Sequence, residues 1–226
     1  NGGTDGALEQ ACRDEDFKGR PGQTLVFNVS GGISARRVLV FGLGERERYD
    51  AEVARRLAGT TARVARHVAA ATAAVVLTVR ELPSDGGVLE LVEGLAEGVV
   101  LGGYQFTQYV TRDARASRLA EVRIAFAAED VHGVTGSALR AAVARGEAIA
   151  TAVNLARDLV NEPANTMTPS ALADVAKKVC KSAGLDYRVL GPKELERQGM
   201  GLLLGVAKGS EEEPRLVHMT YSPDGK

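Results

Sequence analysis

Residues 154–169, which read NLARDLVNEPANTMTP, decide where the chain divides. They close an Ala-rich run with apolar residues at helical spacing, so the sequence predicts one long helix over Ser137–Val160. Pro163 disfavours the helical conformation of the residue before it, so this helix ends just before that proline. A second helix is predicted to begin at Thr168, because threonine is a good N-cap and Pro169 fits a first helical turn. The long helix is therefore interpreted as a connector between two domains.

Strands alternate with helices on the N-terminal side of this connector. Asp50 is the predicted N-cap of the first helix, and a second helix-like segment spans Val88–Tyr109. The apolar stripe of the first helix is Val53, Leu57, Val64 and Val68. The predicted strands are Thr24–Val29, Arg37–Phe41, a buried strand at Ala74–Val79, and Val122–Ala127. This alternation predicts an α/β fold, with helices packed on a sheet.

The same alternation continues on the C-terminal side of the connector. The helix that begins at Thr168 is predicted to end at Gly184, since glycine readily adopts the left-handed conformation that closes a helix. Its predicted buried stripe is Leu172, Val175, Ala176 and Val179. Beyond it we predict a short helix that closes at Gly199 and three strands, Tyr187–Leu190, Leu202–Val206 and Leu216–Tyr221.

Composition excludes several classes of partner. The 226 residues are 45% hydrophobic and 25% charged, as in an ordinary soluble protein, and the net charge of −1 provides no field that attracts nucleic acid or an anionic membrane. No apolar run approaches the roughly 20 residues that cross a bilayer. Cys12 and Cys180 share no metal-binding spacing and suit a reducing compartment. We therefore expect a cytoplasmic protein.

Gly42-Leu43-Gly44 after a predicted strand raises the possibility of a dinucleotide-binding loop. The fingerprint of such a loop needs a third glycine three positions on, where this chain has Glu47. A carboxylate at that position would also repel a pyrophosphate. We favour a tight turn between a strand and a helix, and a nicotinamide-dependent oxidoreductase is excluded on the same ground.

The residues that carry chemistry in hydrolases form no motif in this sequence. The three histidines, His67, His132 and His218, lie on separate predicted elements without ligand spacing. No Gly-x-Ser-x-Gly elbow, His-Glu-x-x-His motif or cysteine cluster is present. The acidic run Glu211–Glu213 is interpreted as solvated surface, because adjacent side chains point apart. We therefore predict no catalytic, metal-binding or cofactor-binding residue in this chain.

Four arginines, Arg55, Arg56, Arg63 and Arg66, recur at near-integral helical turns and would share one face of the first helix. Such a stripe could bind phosphates. A solvated face opposite the buried stripe explains the same spacing, and the chain has neither a basic net charge nor interleaved aromatic residues. We favour the solvated face.

Three segments resemble the leucyl aminopeptidase family. In that family a helix that ends in an Asn-x-Pro-x-Asn-x-x-x-Pro pattern joins the N-terminal domain to the catalytic domain, and here the pattern falls on Asn161, Pro163, Asn165 and Pro169. Residues 199–210 with Pro214-Arg215-Leu216 resemble the next family motif. Residues 93–109 resemble the helix that closes the N-terminal domain, with departures at Thr107 and Val110.

The resemblance implies a macrodomain-like N-terminal domain with a mixed sheet over residues 1–133, whose first strand is expected to be missing. Residues 134–226 would then be the connector helix and an incomplete start of the metallo-aminopeptidase catalytic domain. Family members use two divalent ions, manganese or zinc, to activate a water that removes N-terminal residues from peptides with free N-termini. They assemble as homo-hexamers, so self-association of the full enzyme is also implied.

The family's metal ligands are a lysine, aspartates and a glutamate in motifs expected beyond this chain. Lys226 receives no role, and Asn161, Pro163 and Asn165 are interpreted as structural. We therefore expect the 226-residue chain alone to bind no metal and to be inactive. The alternative is a non-catalytic macrodomain-like module that binds a nucleotide or DNA, for which the glycine turn at Gly42 and the arginine stripe are the support.

Overall fold

The computed structural model describes residues 6–29, 31–77, 87–111, 119–126, 131 and 133–223. The chain forms two compact units, an N-terminal unit (residues 1–155) and a C-terminal unit (residues 156–226). The predicted domain division at residue 133 stays a prediction.

The N-terminal unit combines antiparallel and parallel strand pairs with four helices among its described residues. Its elements are α1 (Ala7–Asp14), β1 (Thr24–Asn28), β2 (Arg37–Phe41), α2 (Ala51–His67), β3 (Thr72–Leu77), α3 (Gly87–Gly103), β4 (Glu121–Phe126) and α4 (Gly136–Asn161), whose last turns belong to the C-terminal unit. Strands β1 and β2 form an antiparallel hairpin in which Val26 faces Leu39. Strands β3 and β4 are parallel, with Val75 opposite Ile124.

In the C-terminal unit, two helices separate the two strands of one antiparallel pair. After α4 its elements are α5 (Pro169–Ala183), β5 (Asp186–Leu190), α6 (Pro192–Arg197), α7 (Gly201–Ala207) and β6 (Leu216–Thr220). Strands β5 and β6 pair antiparallel, with Val189 opposite Val217. The predicted ends of α5 are confirmed: the Ala171 amide donates to Thr168 Oγ1 at 3.2 Å, and Gly184 closes the helix at φ +66°.

The core of the N-terminal unit lies where α2 and α3 pack together. Its buried members are Tyr49, Ala54, Leu57, Ala58, Val75, Leu91 and Leu95. The predicted N-cap of α2 is confirmed, because Asp50 Oδ1 accepts a hydrogen bond from the Val53 amide at 2.9 Å. Of the predicted apolar stripe, Leu57 is buried whereas Val53, Val64 and Val68 are only partly buried. The buried face is instead completed by alanines, which let the two helix backbones approach closely.

Small residues recur at every fourth position along both helices of this pair. Gly98 of α3 lies against Arg55 of α2, and a Cβ atom on this glycine would stand 2.1 Å from the Arg55 carbonyl oxygen. Gly94 meets Ala51 in the same way, and Gly102 meets Gly59. Spacing by four on both helices is the pattern that lets the ridges of one helix enter the grooves of the other. Only glycine fits at these three positions of α3.

Helix α4 also packs closely against α3 through small residues, on the other side of α3. Its buried residues are Ala142, Gly146 and Ala150, and a Cβ on Gly146 would stand 2.4 Å from the Glu93 carbonyl oxygen. The apolar residues at helical spacing do not all face inward, since Ile149 and Val153 are exposed. Small residues, and not the large apolar ones, mark the buried side of this helix, because close backbone approach leaves no room for a long side chain.

Other predictions need correction. The run Leu202–Val206 is part of α7 and not a strand. A short apolar run is compatible with a strand or a helix, and leucine is a good helix former. Helix α3 ends at Gly103, where a pair of glycines stops it, so Tyr104–Tyr109 is not helical. Leu172 of α5 is exposed because α5 buries Ala173 and Cys180 instead.

Two further differences concern strand burial and an unforeseen helix. The predicted buried strand β3 buries Val75 but leaves Val76 exposed, because successive side chains of a strand point to opposite faces. Helix α1 was not predicted. It buries none of its residues and is supported by local contacts such as the Arg13–Glu9 ion pair at 2.8 Å. Its half-buried residues, Leu8, Ala11 and Cys12, recur at helical spacing, a pattern that the sequence analysis did not use.

Candidate functional site

The glycine turn after β2 is held by its own backbone. The Gly42 amide donates to the Gln23 carbonyl at 2.7 Å, and the Gly42 carbonyl accepts from the Gly22 amide at 2.9 Å. A Cβ on Gly42 would stand 2.1 Å from the Arg20 carbonyl oxygen. Gly44 has φ +81°, a left-handed conformation that favours glycine. These contacts support the turn interpretation, because the backbone groups that would hold a phosphate already bond to residues 19–23.

The four arginines of α2 do not share one environment. Arg55 is 31% exposed, whereas Arg56 is 70% exposed. Arg55 Nε donates to Glu97 Oε2 of α3 at 2.6 Å, and its Nη1 also pairs with Glu52. Arg56 Nε donates to the same Glu52 at 2.8 Å, and Arg63 bonds to the Thr60 hydroxyl. The solvated-face interpretation is therefore wrong for Arg55, which points into the contact between α2 and α3. It is also incomplete for Arg66, whose Nη1 is buried without a hydrogen-bond partner among the described residues.

Glu97 is a buried carboxylate that the sequence analysis missed. It is 8% exposed, and its partner Arg55 lies on the neighbouring helix. The hydrogen bond from Arg55 to Glu97 raises the pKa of the guanidinium, and bonds from Arg56 and Arg55 lower the pKa of Glu52. The signal in the sequence was a glutamate within residues 94–101, which are otherwise apolar or glycine. The pair joins two helices, so we assign it a structural role.

Tyr49 also carries a buried polar group in this region. Its ring belongs to the core cluster, and its hydroxyl finds no hydrogen-bond partner among the described residues. Burial, with a smaller contribution from the charge of Asp50, raises the pKa of Tyr49 to about 12. A phenol held neutral in this way is not poised for proton transfer near pH 7.

Tyr49→Phe is expected to leave stability at pH 8 unchanged or to raise it by about 1 kcal/mol, because it removes an unsatisfied hydroxyl. Since the unfolded tyrosine titrates near 10, the unfolded chain loses this proton first. Wild-type stability is therefore expected to fall as the pH rises from 10 to 12, and the variant should lack that part of the fall. Urea midpoints at pH 8 and pH 11 measure the difference. Tyr221→Phe, an exposed site, is the control; equal losses in all three proteins would contradict the expectation.

The remaining candidate residues do not converge. His67 on α2 and His218 on β6 are exposed and belong to different units, and His132 lies outside the described residues. Glu211–Glu213 are exposed, and Glu213 pairs with Arg215 at 2.8 Å. Within the described ranges no three His, Cys, Asp or Glu side chains lie together as a metal site would require. The described residues therefore do not fit a two-metal centre.

Two small cavities lie in the N-terminal unit. One of about 200 Å³ has apolar walls from α3, β4 and α4, with Arg140 at its edge. The other, of about 310 Å³, is edged by the carboxylates Glu121 and Glu147. Their negative charge disfavours a phosphate. Among the residues described, no helix is long and apolar enough to cross a membrane.

The connector ends in a tight turn. Helix α4 stops at Asn161, and the Pro163 carbonyl then accepts hydrogen bonds from the Thr166 and Met167 amides at 2.8 and 2.9 Å. The turn delivers the chain to the Thr168 cap of α5. Within the N-terminal unit, Asn154 Nδ2 donates to the Val100 carbonyl at 3.3 Å and so joins α4 to α3. The structural role of Pro163 in this turn stays a prediction.

Two family models match the chain in order. The N-terminal domain of the cytosol aminopeptidase family matches residues 1–113, and the catalytic domain of the same family matches residues 154–226. The chain belongs to the cytosol aminopeptidase family. The second match begins with the stretch that closes the connector helix, so the predicted resemblance is confirmed.

Curated relatives in the cytosol aminopeptidase family are more than twice as long as the region that matches this chain. A probable cytosol aminopeptidase of Syntrophotalea carbinolica is 38% identical over 98% of this chain and 44% of the relative. One from Alkaliphilus metalliredigens is 34% identical over 96% of this chain and 43% of the relative. The chain therefore spans less than half the length of these relatives.

Two solved structures share the fold of this chain. A mutant of tomato leucine aminopeptidase superposes with a TM-score of 0.84 at 27% identity, covering 98% of this chain and 42% of that one. The bottromycin maturation enzyme BotP in complex with Mn gives a TM-score of 0.77 at 36% identity, covering 94% of this chain and 42% of that one. The predicted α/β fold class is confirmed.

Proposed function

We propose that this chain is part of a metal-dependent leucyl aminopeptidase that removes N-terminal residues from peptides. The observation that carries the proposal is the ordered match of both family domains along one chain, joined by α4. The Mn complex of BotP supports manganese as one metal of the full enzyme, and zinc is the other ion proposed. Peptides with free N-termini are the proposed substrates, a homo-hexamer the proposed assembly and the cytoplasm the proposed location.

The proposed role of the described residues is structural support of the catalytic centre. Helices α2, α3 and α4 meet through small residues and the Arg55–Glu97 pair, a packing that tolerates little movement. The described residues offer no donor set for the metal ions. We therefore propose that residues 1–226 alone bind no catalytic metal and are inactive.

The purified 226-residue chain is expected to release no product from leucine p-nitroanilide in the presence of Mn²⁺ or Zn²⁺. The full-length Syntrophotalea carbinolica relative is the control and should hydrolyse the substrate under the same conditions. A chimera in which this chain replaces the matched part of that relative is expected to be active, because both family domains match in order. Metal-dependent turnover by the chain alone would contradict the inactivity. A folded but inactive chimera would contradict the proposed function.

A nucleotide- or DNA-binding module is not favoured as the function. The backbone groups of the Gly42 turn are occupied by residues 19–23, which leaves no cradle for a phosphate there. Arg55 and Arg56 are neutralised by Glu97 and Glu52, so the stripe offers less positive charge than its sequence suggests. Both features that supported this alternative are explained by packing within the N-terminal unit.

A further inference from the structure

The two cavities of the N-terminal unit are adjacent parts of one groove. Ile124 of β4 and Val143 of α4 line both of them, so the smaller cavity continues into the larger one. Helices α3 and α4 and strand β4 supply the walls. The described lining residues fall within positions 92–147, all in the N-terminal unit, so this unit by itself forms the groove.

The smaller cavity is apolar. Its volume is about 200 Å³, and apart from Arg140 its described lining residues are Val92, Ile124, Phe126, Leu139 and Val143. An apolar cavity of about 150 Å³ in a protein interior takes up a guest of the size of benzene. The smaller cavity therefore has room for one apolar side chain of about the size of leucine.

Opposite charges stand at the two ends of the groove. Arg140 lines the smaller cavity and Glu147 the larger one, and with Val143 between them they share one face of α4. Neither charged side chain has a hydrogen bond or an ion pair among the described residues. Glu121, the other carboxylate at the larger cavity, is neutralised by Arg123 at 2.8 Å. The groove therefore offers one cationic end and one anionic end to a ligand.

The spacing of these charges indicates which ligand fits. Arg140 and Glu147 are seven positions apart, a rise of about 10 Å along α4. An extended peptide advances about 3.4 Å per residue, so about three residues span that distance. A ligand with a negative and a positive end meets an opposite charge at each of them, whereas a simple anion or cation meets one like charge.

We propose that this groove binds a zwitterionic tripeptide with an apolar C-terminal residue. The peptide carboxylate pairs with Arg140, the C-terminal side chain enters the smaller cavity, and the ammonium group pairs with Glu147. The proposal goes beyond the proposed function and does not rest on it, because it follows from the charges and the shape of the N-terminal unit.

The test is a calorimetric titration of the 226-residue chain with the peptide Ala-Ala-Leu. EDTA is present, so that metal-dependent hydrolysis does not contribute to the signal. Saturable binding at one site per chain is expected at millimolar peptide concentrations. Acetylation of the peptide's amino group or amidation of its carboxylate is expected to weaken binding about fivefold, because one ion pair is lost. Ala-Ala-Gly lacks the apolar side chain and is expected to bind about tenfold more weakly.

Two glutamine variants match the two charged ends of the peptide. Arg140→Gln and Glu147→Gln are each expected to weaken the binding of Ala-Ala-Leu about fivefold. Arg140→Gln should not weaken the amidated peptide further, and Glu147→Gln should not weaken the acetylated one, because the corresponding ion pair is already absent. Arg145→Gln is the control: this arginine lies on the same helix, is 55% exposed and lines neither cavity, so the variant should bind like the wild type.

Three results would overturn the peptide proposal. The first is the absence of saturable binding by the wild-type chain. The second is equal binding of the free and the blocked peptides, which would make the groove a site for an uncharged apolar guest. The third is equal binding by the wild type and both glutamine variants, whose folding is checked by circular dichroism. Because the readout is binding without catalysis, peptide binding together with a folded but inactive chimera would count against the proposed function alone. An active chimera together with no peptide binding would count against this inference alone.

Discussion

Gly98→Ala is expected to destabilise the N-terminal unit by about 3 kcal/mol or more. The added Cβ would lie 2.1 Å from the Arg55 carbonyl oxygen and 2.9 Å from the Ala58 Cβ, closer than atoms can approach. The obstacle is helix backbone, so α2 would have to move as a whole. Alanine gains about 1 kcal/mol in helix propensity, which is too little to offset the loss of packing between α2 and α3.

Gly103→Ala is the matched control for this substitution. Gly103 ends the same helix, and a Cβ there meets no atom within 4 Å. This variant is expected to change stability by less than about 1 kcal/mol, in the stabilising direction if at all. Urea denaturation followed by circular dichroism compares the two proteins. Equal midpoints for Gly98→Ala and Gly103→Ala would show that the helix contact does not set the stability of this unit.

The features predicted correctly from sequence depend on near neighbours. Asp50 and Thr168 cap helices because each side chain reaches an amide three residues ahead. Gly184 ends α5 because its own backbone adopts φ +66°. The β1–β2 hairpin likewise joins strands that are close in sequence. Each of these outcomes is determined within a few residues, so the local pattern is sufficient to predict it.

The features that were missed or predicted wrongly are those that a local pattern leaves open. The spacing of Gly94, Gly98 and Gly102 is visible in the sequence, but its meaning depends on which helix lies opposite. The apolar run Leu202–Val206 predicts a strand, yet it belongs to the helix α7. The glycine spacing does not show which helix lies opposite, and a short apolar run does not separate a strand from a helix.

The same limit applies to the candidate site. The family could be recognised from residues 154–169, because the motif is continuous in the chain. The Arg55–Glu97 pair could not be recognised from the sequence, because its members are separated by 42 residues and only the packing of α2 on α3 brings them together. The arginine stripe was therefore interpreted from spacing alone, which could not separate a packed arginine from solvated ones.

Arg55→Ala is the second substitution with a large expected effect, about 2–4 kcal/mol of destabilisation. Glu97 would remain buried without its partner, and an unpaired buried carboxylate costs several kcal/mol. The value is set below the range for fully buried pairs because Arg55 is 31% exposed and water can partly replace it. The double variant Arg55→Ala/Glu97→Ala is expected to be less destabilised than the sum of the single variants, since the unpaired charge is then absent.

Arg56→Ala separates this effect from the general loss of an arginine on α2. Arg56 pairs with Glu52, which also contacts Arg55, but it is 70% exposed, so its removal should cost no more than about 1 kcal/mol. Urea midpoints of the wild type, the three single variants and the double variant complete the comparison. If Arg55→Ala is no more destabilising than Arg56→Ala, the contact with Glu97 contributes nothing beyond a surface ion pair. A large difference that disappears with Glu97→Ala would locate the stabilisation in the contact between α2 and α3.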